Sequence, residues 1–341
     1  MAIGVVGDLH FREKFSYGDY IADGRRSEWG AVLDTIIDAT KECDSIVLIG
    51  DQLNGRNNPS DVVREFVSFL ERFQGKQLYI IAGNHEKFGN GKSGLDFLKE
   101  LKDKPNWHVI TDSIESSVLG NNKCVFLPYL TKAELGVKTF DEATARIMEG
   151  IGSSNIIFAH HTISNTLTNH GQSTNDFSEV VLQQEELEKR FNLVVAGHIH
   201  KPQQYGRVVI TGSSFTSEAG ESDKMVWIIN DDLTVTSSKL PVRHIVKTEN
   251  PSVKSLEKLP RSSIVKAVFT QKLDDAEFSA VVSKLREFDC HIIVEQYPKE
   301  RKRVHYEEGM LEFSVEQLLT EYAKNRGIKP GLLESAFDLI K

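Results

Sequence analysis

Five apolar runs in this chain each stop on a residue that can hold a metal ion, and that recurrence restricts the fold more than any other feature. The runs are Ile3–Val6, Ser45–Ile49, Leu78–Ala82, Asn155–Ala159 and Leu193–Ala196. They lead into Asp8-Leu9-His10, Gly50-Asp51, Gly83-Asn84-His85-Glu86, His160-His161 and Gly197-His198-Ile199-His200. Each run reads as a buried strand, and side chains at successive strand C-termini converge on one edge of an α/β sheet, where ligand sites form. Taken singly the segments are ordinary. Asp-x-His after a strand is commonly a solvated loop, Gly-Asp a turn and Gly-Asn-His an Asn-stabilised turn; His160-His161 alone suits one core histidine beside an exposed neighbour. Gly-His-x-His is less ordinary, because imidazoles at i and i+2 of an extended segment point the same way. In order and all at strand ends, the five predict a metal site. Their carboxylate and amide oxygens and four or five imidazoles exceed the needs of one ion. They suit two divalent cations sharing a carboxylate bridge, which would neutralise a phosphate and activate water for in-line attack. The chain is therefore a candidate phosphoesterase.

The set resembles the calcineurin-like metallophosphoesterase superfamily, whose motifs run D-x-H, G-D, G-N-H-[DE], H and G-H-x-H, over residues 3–215. The resemblance implies a first metal on Asp8, His10, Asp51 and His200, and a second on Asp51, Asn84, His160 and His198, with Asp51 bridging. It makes His85 the non-ligand catalytic histidine near the leaving-group oxygen. Glu86 and His161 are supporting candidates, Glu86 to orient His85, and His161 to position phosphate or substitute as a ligand. Mixed nitrogen and oxygen ligands suit Mn²⁺, the family expectation, with Mg²⁺, Zn²⁺ or Fe as other occupants.

Ser/Thr protein phosphatases carry Asp-Arg-Gly shortly after the Gly-Asp, which Gly50-Asp51-Gln52-Leu53-Asn54-Gly55-Arg56 lacks. Purple acid phosphatases carry a metal-binding tyrosine there, where Gln52 and Leu53 offer none. Small cyclic-nucleotide phosphodiesterases end soon after the Gly-His-x-His strand pair, whereas this chain continues for more than a hundred residues. The remaining match is the DNA-repair nuclease of the SbcD type, above all its compact bacteriophage recombination-endonuclease relatives, which share a stretch like Gly212-Ser213-Ser214. Glu86, where aspartate is commoner, and the lack of an apolar-acid continuation after Gly-Asp are departures. That likeness implies a Mn-dependent double-strand exonuclease and single-strand endonuclease acting on DNA. It also implies an SMC-like (SbcC-type) ATPase partner and a homodimer within a heterotetramer. A freestanding phosphodiesterase or phosphatase acting on small nucleotides is the alternative.

The 341 residues exceed the usual single core, so one large domain with appendages is expected. No run approaches the ~18 apolar residues that span a bilayer, so no membrane role is expected. The first ten residues are already strand and metal-binding turn, leaving no room for a signal peptide. Cys43, Cys124 and Cys290, odd in number and far apart, read as reduced thiols. Together these suggest a cytoplasmic protein of a bacterial cell or of an infected host. A net charge of −8 argues against nucleic acid until the chain is divided. Residues 1–240 carry 24 Lys/Arg against 33 Asp/Glu, residues 241–306 carry 13 against 9, and residues 307–341 carry 4 against 7. Only the middle part is basic, and it is the natural place for phosphate-backbone contact.

Helices are expected after Ser27 as N-cap, with Val32, Ile36 and Ile37 apolar, over residues 60–73, near Gly94–Leu101, over Phe140–Ile151 and over Leu182–Phe191. Further strands fall at Trp107–Ile110, Ser117–Leu119 and Cys124–Leu127. Val208–Thr211, Met225–Ile229 and Thr234–Ser237 alternate like antiparallel strands. The expected fold is α/β, a two-sheet metallophosphoesterase sandwich flanked by helices over residues 1–242. A small α+β capping and DNA-binding unit occupies 243–298, with strand Ile264–Thr270, helix Asp275–Phe288 and strand His291–Gln296. A linker and helical partner-docking tail fill 299–341, where Val315, Leu318, Leu319 and Tyr322, then Leu332, Leu333, Ala336, Phe337 and Ile340, make two apolar stripes.

Overall fold

Strands that are apolar on every residue need cover on both faces, and the fold supplies it in four layers. The computed structural model describes residues 1–294 apart from Asn90, Phe177, Ser222 and Lys272. The expected linker and tail stripes lie outside the described residues. The chain opens with β1 (Ala2–Gly7), α1 (Arg26–Ala39), β2 (Ser45–Ile49), α2 (Ser60–Glu71), β3 (Gln77–Ile81) and β4 (Trp107–Ile110). It continues through β5 (Glu115–Leu119), β6 (Asn122–Leu127), α3 (Lys132–Leu135), α4 (Phe140–Gly150), β7 (Ser154–Ala159) and the short pair β8 (Thr162–Ile163) and β9 (Val181–Leu182). Then come α5 (Gln184–Arg190), β10 (Phe191–Ala196), β11 (Gln203–Tyr205), β12 (Val208–Ile210), β13 (Met225–Asn230) and β14 (Val235–Lys239). The last described elements are β15 (Ile245–Glu249), α6 (Val253–Leu256), β16 (Ile264–Phe269), α7 (Asp275–Leu285) and β17 (Asp289–Val294).

Among the described residues two six-stranded sheets form, in the orders β14-β13-β1-β2-β3-β4 and β11-β12-β10-β7-β6-β5. The period of two along a strand sorts their side chains. Ile46 and Leu48 of β2 face α1 and α2, packing with Trp29, Val32, Ile36, Phe66 and Phe69. Val47 and Ile49 turn the other way, into a core shared with Phe126, Phe158, Leu193 and Val195 of the second sheet. The far face of that second sheet, Ile157, Val194 and Ala196 among others, packs on Ala143 and Ile147 of α4 and Leu187 of α5. The expected α/β two-sheet sandwich with flanking helices is the fold.

Register brings the strand ends level. Gly7, Ile49 and Ile81 are partners across β1, β2 and β3, and Ala159 and Ala196 are partners across β7 and β10. The five metal-binding segments therefore leave two facing sheets along one edge.

Several expectations need correction. Ser27 is not the cap of α1, which begins at Arg26 after a left-handed Arg25. The Asp23 carboxylate does the capping, accepting the N–H groups of Arg25 at 2.9 Å and Ser27 at 3.0 Å. The Gly94–Leu101 helix is a 3₁₀ turn over Asp96–Glu100, too short and polar to bury a stripe. Of the three strands expected to be antiparallel, β12 lies parallel to β10 and antiparallel only to the unforeseen β11. The strand β13 is antiparallel to both β1 and β14, as expected.

Residues 245–294 build a third sheet, β15-β16-β17, all parallel, with its own core of Leu256, Val265, Ala267, Phe269, Val281 and Leu285. Asp274 caps α7 through the Glu277 N–H at 2.8 Å, as Asp274-Asp275 suggests. The unit meets the loop after β1 at Tyr20, and the chain entering it is held against α1 by Glu28. Arg25, 1% exposed, donates to both Glu28 carboxylate oxygens and to the carbonyl and hydroxyl of Thr216, at 2.8–2.9 Å. Glu28 in turn accepts the Arg243 N–H at 2.7 Å, and Tyr20 stacks on His291 with ring centroids 4.2 Å apart.

Candidate metal centre

The ligand residues sit where the chain turns off its strands, and four of them do so in a conformation L-residues avoid. Asp8, His10, Asp51 and His198 have φ of 42°, 51°, 47° and 80°, each costing on the order of 1–3 kcal/mol. The cost is met by buried backbone bonds: the His10 N–H donates to the Asp51 carbonyl at 2.8 Å and the Ser214 N–H to the Asp8 carbonyl at 3.2 Å. Glycine is required beside them for space. A Cβ at Gly50 would lie 1.8 Å from His160 Nδ1, and one at Gly83 would lie 2.1 Å from Asp51 Oδ1.

Two ligand groups result. In the first, Asp8, His10 and His200 offer atoms all within 4.8 Å of one another, and the Nε2 atoms of His10 and His200 are 3.1 Å apart. In the second, Asp51, His160 and His198 meet the same limit. Asn84 Oδ1 completes it, 3.1 Å from His160 Nε2 and 2.9 Å from His198 Nδ1. Asp51 Oδ2 lies between the groups, 3.4 Å from His160 Nε2 and 3.9 Å from His10 Nε2. All seven expected ligands are thus brought together. His85 stands over them with 41% of its side chain exposed. Its N–H donates to Asp51 Oδ1 at 2.9 Å and its Nδ1 lies 3.1 Å from the Asn54 carbonyl.

The supporting residues behave differently from expectation. Glu86 does not touch His85. It is fully buried and accepts the Leu53 and Gly83 N–H groups at 2.8 Å each, pinning the second and third motif loops together. Burial and then the nearby Asp51 push its carboxyl up to about 8. The longer side chain reaches both loops at once. His161 faces away from both groups: fully buried, it stacks on Tyr129 and accepts the Leu130 N–H at 3.2 Å. Burial holds it neutral, its pKa lowered to about 3. Two residues near the ligands carry no sequence signal. Glu179, in a loop, approaches His198 Nε2 at 3.1 Å. Lys224, wholly buried and paired with Glu221 at 2.7 Å, donates to the His200 carbonyl at 3.1 Å and to Ser213 Oγ at 2.6 Å.

The donor chemistry fits divalent cations. Burial and then the neighbouring Asp51 push Asp8 well above the carboxylate range, while His160, by charge and hydrogen bond, overcomes burial and holds Asp51 well below it. Burial holds His10 and His200 neutral, His200 at about 3. Converging imidazole nitrogens beside two buried aspartate side chains are a cation's ligand set. His160 Nδ1 faces the Ile49 carbonyl at 3.1 Å, which leaves the Nε2 lone pair directed at the cluster.

A family model described as calcineurin-like phosphoesterase matches residues 1–202. No curated protein matches the chain by sequence. Among solved structures, an archaeal phosphodiesterase is similar at 12% identity over 70% of this chain and 100% of its own, with TM-score 0.35. A purple acid phosphatase from yellow lupin seeds is similar at 13% over 70% and 51%, with TM-score 0.42. A dimetal phosphatase from Danio rerio is similar at 10% over 70% and 99%, with TM-score 0.37. Likenesses this faint have no bearing on substrate.

Proposed function

The chain belongs to the calcineurin-like phosphoesterase family, and from that premise we propose that this metal-dependent phosphoester hydrolase is a DNA nuclease working with two Mn²⁺ ions. The observation that carries the reading is the α/β unit of residues 245–294, whose His291 stacks on Tyr20 of the loop that follows Asp8 and His10, and whose entering chain is held where the Arg243 N–H donates to Glu28 of α1. A phosphoesterase acting on small esters has no need of a second folded surface tied to its metal-bearing loop. A polynucleotide does, because it extends beyond the reacting phosphate. The basic balance of residues 241–306 supports the same reading.

Divalent ions in the two groups would neutralise the phosphodiester and make water nucleophilic at neutral pH. Asp51 supplies the oxygen both groups share, and its carboxylate form is favoured by the imidazoles around it. Asn84 gives the second group a neutral oxygen, which limits the negative charge an anionic substrate meets. With Nδ1 of His85 turned to the Asn54 carbonyl, proton exchange is confined to Nε2, which in the imidazolium form delivers a proton to the departing 3′-oxygen. Glu86 stays out of that exchange and keeps the His85 and Asp51 loops at fixed separation.

The deciding assay sets linear duplex and single-stranded DNA against bis-p-nitrophenyl phosphate with Mn²⁺. Metal-dependent cleavage of DNA at a higher kcat/KM than the small diester is expected; hydrolysis of the small diester alone would leave a freestanding phosphodiesterase. The proposal extends to an SMC-like ATPase partner docked by the stripes of residues 312–341, with the nuclease as a homodimer in a heterotetramer. Removing those residues should abolish co-purification with such an ATPase while melting temperature barely moves. A large drop would instead mean that the stripes, at about 1.5–3 kcal/mol per buried side chain, pack on the enzyme itself.

A further inference from the structure

A cleft of about 180 Å³ opens beside His85, between Arg12, Glu13, the Asn54–Asn58 loop and the residues Pro59 and Val62. It is smaller than the ~300–1,000 Å³ pockets that take whole cofactors, so it suits a phosphate group and its ester oxygens, not a nucleoside. Arg12 is half-buried and fixed at one end, its Nε donating to the His10 carbonyl at 2.9 Å. Its two terminal nitrogens make no hydrogen bond or ion pair among the described residues. A guanidinium held by its stem with a free fork is arranged for an oxyanion.

The opposite wall adds to this. The twelve-residue α2 starts at Ser60 without a side-chain cap on its first N–H groups, and Pro59 and Val62 place that end on the cleft. Uncapped first-turn N–H groups and the positive dipole end both favour an anion. The opposing charges are Glu13 and Asp61, both exposed, and the buried Glu221, whose carboxylate also acts on Arg12. Asn54 joins cleft and centre: its N–H donates to the Phe11 carbonyl at 3.0 Å and its own carbonyl faces His85 Nδ1 at 3.1 Å.

We propose that Arg12, the Asn54–Asn58 loop and the start of α2 form an anion subsite for the phosphate next to the scissile one, on the leaving-group side marked by His85. The enzyme then prefers substrates with two phosphates joined through a sugar over isolated esters. Placement of the second phosphate rests on the nuclease reading, so the test separates the two. The Mn²⁺-loaded full-length enzyme hydrolyses bis-p-nitrophenyl phosphate while thymidine 3′,5′-bisphosphate and thymidine 3′-monophosphate compete. Wild type should favour the bisphosphate by about 10–100-fold in Ki, the range of a hydrogen bond to a charged group. Arg12→Met should collapse that ratio toward one, Arg12→Lys should keep part of it, and Asn57→Asp, which adds a negative charge at the rim, should narrow it. A ratio is unmoved by a general loss of turnover through the displaced His10 carbonyl. A wild-type ratio near one, or a ratio that survives both Arg12→Met and Asn57→Asp, overturns the subsite. DNA left intact while the ratio behaves as expected would overturn the nuclease reading and keep the subsite. DNA cleaved with an Arg12-independent ratio does the reverse.

Discussion

The two ligand groups each set two imidazoles beside the shared Asp51, but Asp8 in the first stands where Asn84 does in the second, and the groups are backed by opposite charges. Behind the second, Glu179 meets the far nitrogen of His198 at 3.1 Å, and although burial disfavours the cation there, the carboxylate raises the imidazole's proton affinity. Behind the first, the Lys224 ammonium grips the His200 carbonyl at 3.1 Å. A carboxylate makes its histidine a stronger donor; a buried ammonium, even one paired with Glu221, adds nothing to cation affinity. The two groups are thus electrically unequal: the outer charge favours the second group's ion, while Asp8 gives the first a carboxylate where the second has the neutral Asn84.

Asp51→Ala strikes both groups, and it should reduce hydrolysis of every substrate to background; Mn²⁺-dependent activity surviving in that protein would refute the shared-carboxylate arrangement. His85→Ala leaves both groups intact. It should lower turnover on poor leaving groups by about 10²–10⁴-fold and less on p-nitrophenyl esters, with metal content unchanged by elemental analysis. One missing ion would make His85 a ligand instead.

Glu179→Gln tests the inequality itself. It should weaken one of two Mn²⁺ equivalents by about 10–100-fold in a calorimetric titration and leave the other where it was. Weakening of both, or of neither, would break the comparison. Lys224→Met should change the other equivalent by less than about tenfold, since it removes a charge but no carboxylate partner of a ligand. Its larger consequence is on stability, because Glu221 is left buried and unpaired at about 3–5 kcal/mol, read as an earlier melt.

Legibility in the sequence tracked how local the cause was. The convergence of the seven expected ligand positions was readable because each comes after a continuous apolar run, and a strand's end dictates where its next side chain goes. The flanking helix α2 was readable from Val62, Phe66, Phe69 and Leu70 on one face. Glu86 and His161 were misjudged for one reason: adjacency in sequence to a site residue, His85 or His160, says nothing about which way a side chain turns. Ser27 was misjudged as a cap because the helix starts one residue earlier, at Arg26, and Asp23 accepts Ser27's own N–H. Strand β12 is parallel to β10 because the chain crosses back through β11, and alternation of apolar residues carries no sense of direction.

The sequence alone determined the family, the α/β sandwich and which seven donor-bearing residues would meet at one edge, since these depend on periodicity and on donor atoms at strand ends. Only the tertiary structure decided the rest. Glu179 reaches His198 from 19 residues away, Lys224 reaches His200 from 24, and Arg25 reaches Thr216 from 191. Contacts of that kind arise when two sheets stack and bring together loops that no local pattern relates. The charge behind each ligand, and hence the difference between two chemically similar metal groups, exists only once the chain is folded.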